Sequence, residues 1–140
     1  AVSLAAAQAT INVLLQKRAL DHIWQQGQRL KDGYNVLARA FGVERRTRCI
    51  GLPPRTVALF EDERGGESLV LKSLFQQECL KRGVLFSGGH NLSLSHTHDD
   101  VDQMLRAYRS AMEVLAEAIR RGDAAKRLEG EPVQAVFRKP

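Results

Sequence analysis

Three of the four histidines, His90, His96 and His98, fall within nine positions and are followed by Asp99, Asp100 and Asp102. Imidazoles and carboxylates at that density can ligate zinc or another borderline metal, which would make the chain a small His/Asp metalloprotein. A plainer reading competes with this one. His98, Asp99 and Asp100 fall in what reads as the first turn of a helix, where exposed polar side chains are ordinary, and no His-x-x-x-His pair marks a helical face. No metal ligand is therefore assigned. Ser87, Gly88 and Gly89 suit a backbone that turns tightly or approaches a ligand closely, with His90 and Asn91 at the tip. Arg55, directly after Pro53 and Pro54, is placed to clamp a carboxylate from a rigid turn, or simply to be solvated. Phosphate loops of the GxxxxGK and GxGxxG types and a Gly-x-Ser-x-Gly elbow are all absent. Arg45, Arg46 and Arg48 lack the interleaved aromatics of a platform for single-stranded nucleic acid.

The elements that must position these residues read as follows. Residues 3 to 16 form an Ala-rich helix with Ser3 as N-cap and apolar side chains almost all round, a pattern that asks for burial on more than one side. From residue 17 the pattern is cleanly amphipathic, with Leu20, Ile23, Trp24, Leu30, Tyr34, Leu37 and Phe41 on one stripe and Gly42 beyond the end. Arg46 to Leu52 and Thr56 to Glu61 alternate as two antiparallel strands joined through the prolines. Residues 67 to 82 form a helix facing inward through Val70, Leu71, Leu74, Phe75 and Cys79. Short strands are expected at Val84 to Phe86 and Leu92 to Ser95, with a glycine-rich loop from Ser87 to Asn91 between them. Thr97 caps a helix over 98 to 121 whose third position is Asp100, an Asp form of the capping box, and Gly122 closes it. The tail is expected to wrap the surface.

The 140 residues fit one folding unit with a real core, and 44% hydrophobic with 26% charged residues exclude disorder and collagen. The net charge of +5 is spread along the chain and does not indicate nucleic acid. Cys49 and Cys79 are too few for a disulfide framework and read as small buried hydrophobes, so the cytoplasm is the expected compartment. The opening AVSLAAAQATINVLL has no basic residues ahead of it, and Gln8, Thr10 and Asn12 interrupt it, so it reads as neither a signal peptide nor a span.

The order of segments is itself informative: SLAAAQATINVL, then QQGQRLKDG with Gly27, Leu30 and Gly33, then two strands, FQQECLKRGVLF at 75 to 86 and SHTHDDVD at 95 to 102. This resembles the C-terminal part of class III pyridoxal-phosphate aminotransferases, in the branch of glutamate-1-semialdehyde aminomutase. The resemblance implies the α+β small domain of a fold type I enzyme: a small, mainly antiparallel sheet covered by helices, preceded by a long helical segment. Residues 1–42 would link to a large cofactor domain, 43–122 form the small domain, and 123–140 the tail. It implies a homodimeric parent enzyme that interconverts amino and carbonyl groups on a small molecule.

In that family the catalytic lysine and the cofactor ligands lie upstream, so Ala1 would begin a segment cut from a longer polypeptide. This chain would bind no cofactor and have no activity alone. Lys17, Lys31, Lys72, Lys81, Lys126 and Lys139 all fall in polar helix faces or the tail. The stretch VLFSGGHNLSLS, between Gly83 and His96, is shorter than the acidic segment of the aminomutase, which leaves an aminotransferase of the same branch an equal fit. His90, Asn91 and Arg55 are the residues expected to face substrate. A free-standing oligomeric helical module remains the alternative from a different class.

Overall fold

The computed structural model describes residues 1–16 and 18–134. Its elements are α1 (Val2–Gln16), α2 (Ala19–Ala40), β1 (Thr47–Leu52), β2 (Arg55–Phe60), α3 (Leu69–Leu80), β3 (Gly89–Asn91) and α4 (His98–Arg121), followed by a 3-10 turn, Ala124–Arg127. The architecture is α+β, with one antiparallel sheet in the order β1-β2-β3 and helices on one side of it.

Aromatic packing joins the sheet to the helices. Tyr34 of α2, Phe75 of α3 and Tyr108 of α4 meet at centroid separations of 5.4 to 5.7 Å, and Phe60 and Phe86 complete the group. These edge-on and tilted contacts suit the ring quadrupoles, and Tyr34, Tyr108 and Phe75 are the largest fully buried side chains among the described residues. Gly27 and Gly33 let α2 come close to its neighbours. A Cβ at Gly27 would stand 1.9 Å from the Pro53 carbonyl oxygen, and one at Gly33 would stand 2.6 Å from a Leu105 methyl of α4.

The edge of β1 is closed by a side chain. Asn35 of α2 accepts from the Cys49 N–H at 2.8 Å and donates to the Cys49 carbonyl at 2.9 Å, as a neighbouring strand would. Such cover removes an open template for pairing. At α4 the expected capping box is present: the Thr97 hydroxyl accepts from Asp100 N–H, and the Asp100 carboxylate accepts from Thr97 N–H at 2.8 Å. Those bonds hold the Asp100 carboxyl below the usual carboxylate range. Gly122 ends the helix at φ 67°.

Three expectations are corrected. The first helix already includes Val2, so Ser3 lies inside its first turn and is no cap. The third helix starts later, behind Ser68, whose hydroxyl accepts from Leu71 N–H. The third strand lies at Gly89–Asn91, inside the expected loop, and neither 84–86 nor 92–95 is a strand.

The pattern in 84–86 is strand-like, with Val84 and Phe86 buried and Leu85 exposed, but no neighbouring strand pairs with it. Instead the Val84 N–H bonds Cys79 O and finishes α3. Leu92 N–H bonds Pro54 O, one step past the β2–β3 pairing, and His96 N–H bonds Ser93 O, so 93–96 is a turn. The glycine at 89 serves strand contact and not a turn: a Cβ there would stand 2.3 Å from the Thr56 carbonyl oxygen.

Beyond Gly122 the chain runs back along α3. Gln77 donates to Arg127 O and accepts from Glu129 N–H, and Ser73 accepts from Val133 N–H.

Candidate functional site

β2 and β3 bring together the three residues singled out for substrate contact and then divide them. The register pairs Arg55 with Asn91, Thr56 with His90 and Val57 with Gly89. Side chains alternate along a strand, so Thr56 and His90 share one face while Arg55 and Asn91 share the other. Thr56 and His90 are buried, whereas Arg55 and Asn91 are exposed side by side on the outer face.

His90 therefore does not stand at a loop tip. Its Nδ1 lies 2.6 Å from the Thr56 hydroxyl and its Nε2 lies 2.8 Å from the Tyr108 hydroxyl, with the Cys49 sulfur 3.9 Å away. Burial pushes its pKa down to about 4, so near neutral pH one ring nitrogen donates and the other accepts. Burial likewise pushes the Tyr108 phenol upward and the Cys79 thiol up to about 12, and it raises the Cys49 thiol. Both cysteines are buried and free. These groups are uncharged packing and not nucleophiles.

The histidine cluster of the sequence is dispersed by the fold. His96 turns its ring to the Ser93 N–H and hydroxyl, and the His98 ring packs against the Gln26 amide nitrogen. Among the described residues no group of three or more His, Cys, Asp or Glu side chains is arranged to hold a metal ion. His22 bonds the His96 carbonyl, and Arg29 pairs with Asp102 and donates to the His98 carbonyl, so α2 clamps the turn that starts α4. Sequence reasoning missed Gln26, which is completely buried and whose Oε1 has no partner among the described residues. Its place in the helical pattern was a sign of burial, three residues after Ile23 and four before Leu30, but a polar side chain on that stripe is not read as core.

The outer face of the sheet carries exposed apolar side chains, and so do other elements. Ile50, Leu52 and Val57 are exposed there, and Leu20 and Trp24 of α2 are exposed beyond the hairpin. No residue of α1 is buried; Val2, Leu4 and Leu15 keep three quarters or more of their area open. A groove of about 460 Å³ separates α1 from Ile23 and from Leu92 and Leu94. No helix among the described residues is long and apolar enough to cross a membrane.

A solved structure shares this architecture. The chain is similar to the Sphingopyxis sp. MTA144 FumI protein, whose structure is of its pyridoxal-phosphate internal aldimine form, with a TM-score of 0.72 and 24% sequence identity. The match covers 83% of this chain and 27% of that one, so the chain spans about a quarter of FumI and shares the fold of that part. No family model matches the sequence, and no curated protein matches it.

The described lysines do not fit a covalent cofactor site. Lys31 donates to Gly51 O, Lys81 is paired with Glu78 and Glu129, Lys72 lies beside Glu67, and Lys126 is exposed. None sits in the desolvated setting that turns an ammonium into a nucleophilic amine. Lys17 and Lys139 lie outside the described residues.

Proposed function

We propose that the chain is the C-terminal small domain of a class III pyridoxal-phosphate aminotransferase, or of a glutamate-1-semialdehyde aminomutase-like enzyme. The observation that carries the reading is an uncovered helix on a fold shared with part of FumI. The helices α2, α3 and α4 and the inner sheet face pack around five aromatic rings, whereas α1 has no buried residue and the outer sheet face leaves Ile50, Leu52 and Val57 exposed. A helix without a single buried residue has little stability of its own at this length, which supports cover from another part of a larger protein.

In such an enzyme pyridoxal phosphate supplies the electron sink and is held elsewhere on the polypeptide. This chain contributes position. Arg55 and Asn91 face the amino or carbonyl substrate, the apolar surface seats against the cofactor-bearing domain, and closure excludes water. His90 holds the strand that carries Asn91 and touches no substrate. The enzyme is a homodimer, and the chain alone binds no cofactor.

The test is the complete reading frame, expressed with pyridoxal phosphate and screened against amine donors and carbonyl acceptors. Amino-group transfer that is lost on replacing one lysine outside these 140 residues is the expected result. A frame that encodes no lysine-bearing cofactor domain overturns the reading. Pyridoxal phosphate titrated into the 140-residue chain is expected to give no saturable one-to-one absorbance band that depends on a single lysine. The exposed α1 also supports a free-standing oligomeric module. Concentration-dependent dimerisation lost in Ile11→Asp, together with a frame that ends in this chain alone, would favour it.

A further inference from the structure

The helical layer carries another open feature, away from the sheet. Gly33, Val36 and Leu37 of α2 and Leu105, Arg106 and Arg109 of α4 line a groove of about 290 Å³, and no strand contributes to it. Their spacing on each helix, three and four residues apart, is that of two facing helical stripes. Leu105 stands in the space that a side chain at Gly33 would take, so the two helices are close at the floor. Leu37 is buried there, and Val36 stays 53% exposed beside it.

The charges around the groove are uneven. Asp102 is the one carboxylate among the described residues that lines it, and Arg29 already pairs with that group. Arg106 and Arg109 are exposed, and neither pairs with a carboxylate among the described residues. Three positions apart on one helix they are neighbours, and like charges at that spacing repel. An anion held by both guanidiniums relieves the repulsion, and the adjoining aliphatic side chains offer its body an apolar seat. A volume of 290 Å³ lies at the lower end of small-molecule pockets, about 300 to 1,000 Å³, which is room for one ring and its charged group but not for a helix.

From this meeting of an apolar floor with two unmet guanidiniums we infer that the α2–α4 groove binds an aromatic monocarboxylate. Its ring lies over Val36, Leu37 and Leu105, and its carboxylate is held by Arg106 and Arg109. The site is separate from the residues proposed to face substrate, and it does not rest on the enzyme reading.

The experiment follows the Gly33 backbone amide and the Arg106 and Arg109 Nε–H resonances of the 15N-labelled chain during titration with sodium benzoate, sodium acetate and benzyl alcohol. Benzoate is expected to shift all three groups saturably with one dissociation constant. Acetate, which lacks the ring, and benzyl alcohol, which lacks the charge, are each expected to bind at least tenfold more weakly. The double variant Arg106→Gln, Arg109→Gln and, separately, Val36→Asp are expected to weaken benzoate at least tenfold. The Thr97 and Asp100 backbone amides, held in the α4 cap, report that the helix is intact in each variant.

Acetate as tight as benzoate would reduce the site to surface ion pairing, and benzyl alcohol as tight as benzoate would reduce it to an apolar patch; either result overturns the proposal. So does an unsaturable response, unchanged affinity in the double variant, or a saturable response confined to Ala9, Leu92 and Leu94 beside α1. No cofactor and no further domain enters this titration, so its failure is separate from that of the enzyme reading, which falls on the complete-frame experiment.

Discussion

The two faces of one three-stranded sheet meet opposite surroundings. The inner face presents Thr47, Cys49, Thr56, Ala58, Phe60 and His90, all buried, and every polar group among them has a partner there, such as Tyr34 for Thr47 and Tyr108 for His90. The outer face presents Ile50, Val57, Arg55 and Asn91 to the open side, on the same strands and in the same register. Secondary structure is thus common to both faces, and only the inner one is stabilised by what covers it. The lesson is energetic: the chain's stability resides on one side, and what remains exposed on the other is free to bind.

The sharpest way to break this comparison is to truncate one residue on each side. Phe75→Ala, at the centre of the aromatic group, is expected to destabilise by about 3–5 kcal/mol in urea unfolding, because a fully buried ring leaves a cavity. Val57→Ala, half exposed on the outer face, is expected to cost less than about 1 kcal/mol. Comparable losses would mean that the outer face is also part of the folded core.

The inner face is also expected to be acid-sensitive. The folded pKa of His90, about 4, lies below its ordinary 6.5, so the unfolded chain binds the proton more readily. Stability is then complete above about pH 6.5 and falls as pH drops from there through about 4, by on the order of 3 kcal/mol. His90→Gln is expected to flatten this dependence in stability measured at successive pH values. A slope unchanged by the substitution would place the acid sensitivity in other groups.

Helix approach comes next. Gly27→Ala drives a Cβ into the Pro53 backbone and is expected to cost about 1–3 kcal/mol, whereas Gly33→Ala meets only the movable end of Leu105 and should cost less. Thermal melts of the two variants check the order. Loss of the α4 cap in Thr97→Ala is expected to cost about 1 kcal/mol. The smallest effect belongs to α1: Ile11→Asp should change stability by less than about 0.5 kcal/mol, read by the same melts, since that side chain is more than half exposed.

Local signals were legible where neighbours in sequence are also partners in space. The capping box at Thr97, the stop at Gly122, the proline-joined hairpin and the burial of Cys49 and Cys79 all depend on contacts of short reach or on plain hydrophobicity, and each was readable. The apolar circumference of α1 was equally plain, because composition alone shows that no single neighbour could cover it.

The third strand and the site residues were decided only by the tertiary structure. A strand exists where a partner offers its backbone. Val84 to Phe86 has the alternation without the partner, while Gly89–Asn91 has β2 beside it and needs a glycine to lie close enough. A shift of one residue in that ladder exchanges inside for outside. His90 and Asn91, adjacent in the chain, thereby acquire opposite roles, one buried against Tyr108 and the other exposed beside Arg55, because the ladder register lies in the pairing and not in the order of residues.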